Sequence, residues 1–270
     1  MAPPSDPNQQ FNALSEEEKK RVLSDGFGSH LNHSGLNFAV PLWWVFRDND
    51  NNCGLRNGSA FLVDYGHGVF AVTAAHVFTE YRDTKHAMPE TLCQLGDVLF
   101  DPEARLIACR DDLDIATFRV EPNEAKQIGK SMVKSDPPIR EPLHPEVGNF
   151  VFFAGFPAQS RGMTPSGDGF ATAPYFAMTP ITSVSDHQIS CRFDREKMID
   201  FSGSGLPPRG YDIGGISGGV MLLPTLVRDG DVEGVIWRFA GVVVQAATGD
   251  LFEQVVAVRA HYIQPDGRIG

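Results

Sequence analysis

Ser217 lies in the stretch Asp212–Leu223, where Gly214, Gly215, Gly218 and Gly219 bracket Ile216 and the serine ahead of an apolar run. Glycines this dense mark backbone that turns tightly or approaches another group closely, because glycine alone carries no steric penalty there. A serine hydroxyl is a weak nucleophile until a base takes its proton and nearby N–H groups stabilise the oxyanion it creates. The stretch therefore has chemical meaning only if the chain also supplies a base and a carboxylate.

Of the eight histidines, His76 alone ends an apolar strand-like run, Val69-Phe70-Ala71-Val72-Thr73-Ala74-Ala75. Small residues just before the imidazole leave room for close packing, and histidine changes charge near neutral pH, which suits a general base. The carboxylate comes from Asp111-Asp112-Leu113-Asp114-Ile115-Ala116. Asp114 leads directly into the apolar run, so it is carried toward a buried position where an imidazole N–H can partner it. Asp111 and Asp112 read as a solvated turn.

The order along the chain is His76, Asp114, Ser217. On Thr73-Ala74-Ala75-His76, Asp114-Ile115-Ala116 and Gly215-Ile216-Ser217-Gly218-Gly219, the sequence resembles the chymotrypsin-like (trypsin-like) serine peptidases. The resemblance covers about residues 36–262. It implies an all-β fold of two antiparallel six-stranded β-barrels with the site in the cleft between them. It also implies that His76 is general base and acid, that Asp114 orients it, and that Ser217 is the nucleophile. The backbone N–H groups of Gly215 and Ser217 would form the oxyanion hole. Gly148-Asn149-Phe150-Val151-Phe152-Phe153-Ala154-Gly155-Phe156-Pro157 looks like the opening of the second barrel in bacterial and HtrA-type members.

Two departures bear on regulation. Ile216 stands where secreted members carry the aspartate that pairs with a new N-terminus after zymogen cleavage, and Val77 stands where many have a cysteine beside the histidine. Both resemble the intracellular, HtrA-type branches. Six residues before Ser217 is Tyr211 rather than the basal aspartate of a trypsin-like pocket, followed by Asp212. The apolar run Gly241–Ala246 would line the pocket, which makes Tyr211, Asp212, Val244 and Gln245 the candidate specificity residues and favours an uncharged side chain.

The elements that must position these residues read as short β-runs from Phe38 onward, separated by turn residues such as Asn57-Gly58 and Tyr65-Gly66-His67-Gly68. Residues 1–35 form a polar extension with a short helix from Ser15 through Leu23. A first β-unit at 36–129 carries His76 and Asp114. The segment 130–146, rich in proline and charge, cannot be a central strand and reads as the linker. A second β-unit at 147–262 carries Ser217, and 263–270 is a tail.

With 270 residues and 42% apolar side chains, the chain can build a substantial core. A formal net charge of −11 argues against nucleic acid or an anionic membrane as partner, since both select for basic patches. The first residues lack the basic start and apolar run of a secretory signal, and no run of about 18 apolar residues follows, so the expected location is cytoplasmic. Cys53, Cys93, Cys109 and Cys191 are too scattered for a metal site or a disulfide framework and read as buried thiols; no metal or cofactor is expected. The resulting expectation is a serine endopeptidase acting on protein or peptide substrates through an acyl-enzyme, controlled by residues 1–35 or by a regulatory protein partner. A protease-fold scaffold with catalysis silenced is the alternative, and ester hydrolysis or autoprocessing would use the same machinery.

Overall fold

Strand β2 (Cys53–Asp64) shows how the sequence divides its apolar residues: Ala60 and Leu62 enter one core, while Phe61 and Val63 between them enter another. Successive side chains of a strand face opposite ways, so a run buried at every position must sit between two apolar layers. The computed structural model describes residues 33–48, 50–134, 143–163, 170–193, 198, 207–208, 210–229, 232–248 and 253–270. The helix expected at Ser15–Leu23 and the central part of the linker, 135–142, lie outside the described residues.

The first sheet contains β1 (Ala39–Arg47), β2, β3 (Val69–Thr73), β4 (Leu92–Leu95), β5 (Val98–Leu99), β6 (Leu106–Arg110) and β7 (Ile115–Arg119), in the order β5-β4-β1-β2-β3-β7-β6. Neighbours on that path are antiparallel; β8 (Met132–Lys134) runs parallel to β2. Beyond the linker come β9 (Phe150–Gly155), the small hairpin β10 (Arg161–Met163) and β11 (Phe170–Thr172), then β12 (Tyr175–Pro180), β13 (Ser183–Val184), β14 (Gln188–Phe193), β15 (Val220–Asp229), β16 (Val232–Thr248) and β17 (Glu253–Arg259). The second sheet is ordered β12-β9-β15-β16-β17-β14-β13. Without the short strands β5, β8 and β13, each sheet has six antiparallel strands. The protein is thus all-β with two curled antiparallel sheets, the layout that the resemblance implies.

Three apolar clusters follow. One fills the first sheet, with Val40, Leu42, Trp44, Leu62 and Phe118. A second fills the other sheet, with Val151, Phe153, Cys191, Met221 and Val255. The third lies between them, where Phe61, Val63 and Phe70 meet Phe152, Val220, Leu222 and Val242; Phe61 and Phe239 touch across it with ring centroids 5.1 Å apart. Strands β9 and β15 repeat the β2 pattern, alternating Val151/Phe153 with Phe152/Ala154 and Met221/Leu223 with Val220/Leu222. The sheets are therefore joined by a shared core, which fixes residues of one sheet relative to the other.

Three expectations change. Asn57-Gly58 is not a turn but lies inside β2, paired with Trp43 and Leu42 of β1; a Cβ on Gly58 would overlap the Val77 side chain, so tertiary packing selects this glycine. The run through Ala75 does not stay extended. It stops at Thr73, and α1 (Ala75–Ala87) follows, burying Ala75, Val77, Phe78, Tyr81 and Thr84 at helical spacing. Finally, the first residues of the linker form β8, because Met132 to Lys134 precede the prolines. Two shorter helices, α2 (Pro102–Arg105) and α3 (Pro122–Ile128), cap the first sheet.

Candidate active site

His76 is the second residue of α1, three positions beyond Thr73 at the end of β3, and its side chain is 52% exposed. Asp114 closes a turn, its N–H donating to the Asp111 carbonyl at 3.2 Å, just before β7. Its φ of 54° is left-handed, a conformation that costs a non-glycine residue about 1–2 kcal/mol. In that pose one carboxylate oxygen accepts from His76 Nδ1 at 2.7 Å and the other from the His76 backbone N–H at 2.9 Å. A carboxylate of this kind only accepts, so Nδ1 carries the hydrogen and Nε2 is left as the acceptor. The Asp114 bond raises the His76 pKa above its ordinary value of 6.5; desolvation works against it, and the charges of Asp114 and Glu80 add to it. Asp114 is 30% exposed rather than buried, while Asp111 and Asp112 are exposed, Asp112 paired with Arg110.

The serine turn is pinned from below. Ile213 and Ile216 are buried in the second core, and Ile216 N–H donates to the Ile213 carbonyl. Gly218, at φ +85°, has room for no side chain: a Cβ there would overlap the Ser59 carbonyl and the Thr73 hydroxyl and stand 3.0 Å from the Ala74 nitrogen. The residue after Ser217 is therefore packed on the residues just before His76. The Ser217 hydroxyl donates to the Val244 carbonyl at 3.4 Å; among the described residues no hydrogen bond joins it to His76.

Gly215, at φ +98°, is held so close to the Pro157–Ala158 peptide that a Cβ would stand 2.7 Å from Ala158 N. The N–H groups of Gly215 and Ser217 have no acceptor among the described residues. Two such open donors two residues apart could both serve one anionic oxygen.

Ser59 of β2 binds this loop to the first sheet, and nothing in the sequence marked it. It is fully buried. Its N–H donates to the Ser217 carbonyl at 2.9 Å, its hydroxyl donates to the Gly215 carbonyl at 3.0 Å, and the same oxygen accepts from Phe156 N–H at 2.8 Å. Its own carbonyl accepts from the Thr73 hydroxyl at 2.6 Å. Asn57 on the same face donates to the Phe156 carbonyl at 2.6 Å. A serine inside a strand has no local signature; only the approach of the second sheet gives it this role.

The candidate specificity residues separate. Val244 sits at a register shift between β16 and β17, which turns its carbonyl toward Ser217 while its side chain enters the inter-sheet core. Gln245 is exposed. Tyr211 stacks on Tyr175 at 6.1 Å against the second core, and Asp212 is exposed and accepts from Gly214 N–H at 2.8 Å. Val244 and Tyr211 thus place their side chains in different cores. The four cysteines carry free thiols; Cys93 and Cys191 are buried as expected, but Cys53 is exposed and Cys109 only partly covered, because both lie at strand ends.

No protein-family model and no curated protein sequence matches the chain. Among solved structures it is similar to a thermostable serine protease, AL20, from an extremophilic microorganism, with 14% identity, a TM-score of 0.43, and coverage of 84% of this chain and 92% of that one. Among the described residues no helix is long and apolar enough to cross a membrane.

Proposed function

We propose that the protein is a serine endopeptidase of the trypsin-like kind, hydrolysing peptide bonds through an acyl-enzyme on Ser217. The observation that carries this reading is the double grip of Asp114 on His76 beside the Ser217 turn. With Nδ1–H committed to Asp114, His76 Nε2 is free to take the Ser217 proton during attack on a carbonyl and return it to the leaving amine. The Gly215 and Ser217 amides receive the developing oxyanion, where one donor is worth about 3 kcal/mol of barrier. Reaching the reactive arrangement requires the Ser217 hydroxyl to leave the Val244 carbonyl for His76.

That same Val244 contact favours a second reading, a protease-fold scaffold held silent until a partner binds. Control by the N-terminal extension belongs to the first reading: Ser34, at its inner end, accepts from Trp237 Nε1 of β16 at 3.0 Å, so the extension is tied to the strand that carries Val244.

Fluorophosphonate labelling of the wild type beside Ser217→Ala and His76→Ala tests the reading. Labelling of the wild type alone supports an active enzyme; a folded wild type that resists the probe, with and without residues 1–34, overturns it in favour of the scaffold. Profiling on a peptide library then gives the cleavage preference, and fractionating the host cell tests the cytoplasmic location.

A further inference from the structure

At the end of β3 away from His76, a cavity of about 390 Å³ opens between the sheets. Its floor is apolar, made by Phe239, Leu143 and Ile263 among others, and its cationic or protonatable side chains are His67, Lys134, Arg259 and His261; no aspartate or glutamate lines it among the described residues. This is unusual for a chain of formal net charge −11. Neither Lys134 nor Arg259 has a carboxylate partner among the described residues; Arg259 donates from one Nη to the Ser185 carbonyl at 3.2 Å and keeps its other donors.

Histidine and tyrosine rings border the cavity. His261 lies on Tyr262 with ring centroids 4.2 Å apart, and His187 is hydrogen-bonded to the Tyr262 hydroxyl. Burial, and then the charges of Arg259 and His187, lower the His261 pKa from its ordinary value, with Asp186 opposing. Lys134 and Arg259 thus line an apolar wall that carries no carboxylate among the described residues, the counter-charge such groups normally find. The volume falls in the range of small-molecule sites.

We propose that this cavity binds a small amphiphilic anion, an apolar chain or ring ending in a carboxylate. The head would sit between Lys134 and Arg259, whose planar fork suits a carboxylate, and the body would cover Phe239 and Ile263. The site is separate from the candidate active site: His67 lies two residues before Val69 and His76 three residues beyond Thr73, at opposite ends of β3, which spans about 13 Å. The proposal does not depend on the enzyme being active.

Calorimetric titration of the full chain with octanoate, octanamide and acetate tests it. Saturable octanoate binding, with octanamide and acetate each weaker by about tenfold or more, supports the proposal. Arg259→Met and Lys134→Met should each weaken octanoate binding about tenfold, while Ser217→Ala leaves it unchanged. Lys134 is exposed, so its variant carries the test where Arg259→Met does not fold. N-acetyl-alanyl-leucine, compared with its amide, distinguishes the sources: tighter binding than octanoate assigns the site to a peptide C-terminus, weaker binding to a free acid. No octanoate binding, equal binding of octanamide or acetate, or indifference to both cavity variants overturns the proposal.

Discussion

Asp114 holds His76 at two points, the ring Nδ1 at 2.7 Å and the backbone N–H at 2.9 Å, from a left-handed backbone with φ of 54°. The two bonds do different things. The backbone bond fixes where the start of α1 lies, and the ring bond fixes which nitrogen carries the hydrogen. The strained turn is what lets one carboxylate reach both, so its cost of about 1–2 kcal/mol is offset by two charge-assisted hydrogen bonds.

Asp114→Asn separates these functions. The amide oxygen can still accept from the backbone N–H, but its NH2 presents a donor to the ring and selects the wrong tautomer. With kcat falling roughly 10³- to 10⁴-fold and the unfolding midpoint changing little, the tautomer argument stands. A variant retaining more than a tenth of wild-type kcat would sink it.

The raised pKa of His76 makes a pH prediction. Catalysis needs the neutral imidazole, and the bond to Asp114 favours the protonated one, so kcat/KM should climb through a pH above the ordinary 6.5. In Asp114→Asn that support is gone, and the acid limb of the residual activity should move to lower pH. A limb that stays in place in the variant would mean that another group controls it.

The candidate site was more legible in the sequence than its scaffolding. His76, Asp114 and Ser217 stand out because the proposed chemistry restricts residue types, and the glycines around Ser217 because crowding forbids side chains at Gly215 and Gly218. Ser59 does not, since its role arises from chain that is distant in sequence, Phe156 97 residues and Gly215 156 residues further on, closing over it. The Asn57-Gly58 pair misled because a strong turn signal was overridden by Val77, which needs the space at Gly58. The helix after His76 did carry a signal, with Val77, Phe78, Tyr81 and Thr84 at helical spacing, but the strand-like run before it masked where the period changed. Of the pocket residues, Tyr211 and Asp212 come from counting back from Ser217 and Val244 and Gln245 from the apolar run Gly241–Ala246, and neither signal foresees the bulge at Val244.

Gly218→Ala and Gly66→Ala form a matched pair. Both glycines have positive φ, +85° and +87°, but only Gly218 has atoms where a Cβ would go; nothing lies within 4 Å at Gly66. Gly66→Ala should cost about 1 kcal/mol in urea unfolding, the conformational term alone. Gly218→Ala should cost about 3 kcal/mol or more and abolish labelling of Ser217, because the clash is with the backbone carbonyl of Ser59 and the Thr73 hydroxyl. Equal costs would mean that the loop is not packed against Ser59 and Thr73.

Thiol labelling checks the cores independently of function. Cys53 is exposed and should react fast at pH 8. Cys109 should be slow, since burial and then neighbouring Asp111 raise its pKa. Burial pushes the Cys191 thiol up to about 12 and raises that of Cys93 as well, so both should react only on unfolding. Fast labelling of Cys93 or Cys191 in the folded protein would contradict the packing of its sheet.

Ser59→Ala tests whether the first sheet positions the oxyanion loop. The substitution keeps the N–H bond to the Ser217 carbonyl but leaves the Gly215 carbonyl and the Phe156 N–H without their hydroxyl partner in a dry site. Stability should drop by about 1–3 kcal/mol, the usual cost of stranding buried polar groups. A purely structural role would stop there. If the hydroxyl also aims the Gly215 amide, kcat should fall about tenfold with KM nearly unchanged, since the lost interaction is felt where the oxyanion forms. Ser59→Thr, which restores a hydroxyl at the cost of one methyl group, should recover part of kcat. Loss of stability with kcat intact would show that the loop keeps its geometry without Ser59, leaving Gly218 and the buried Ile213 and Ile216 to hold it.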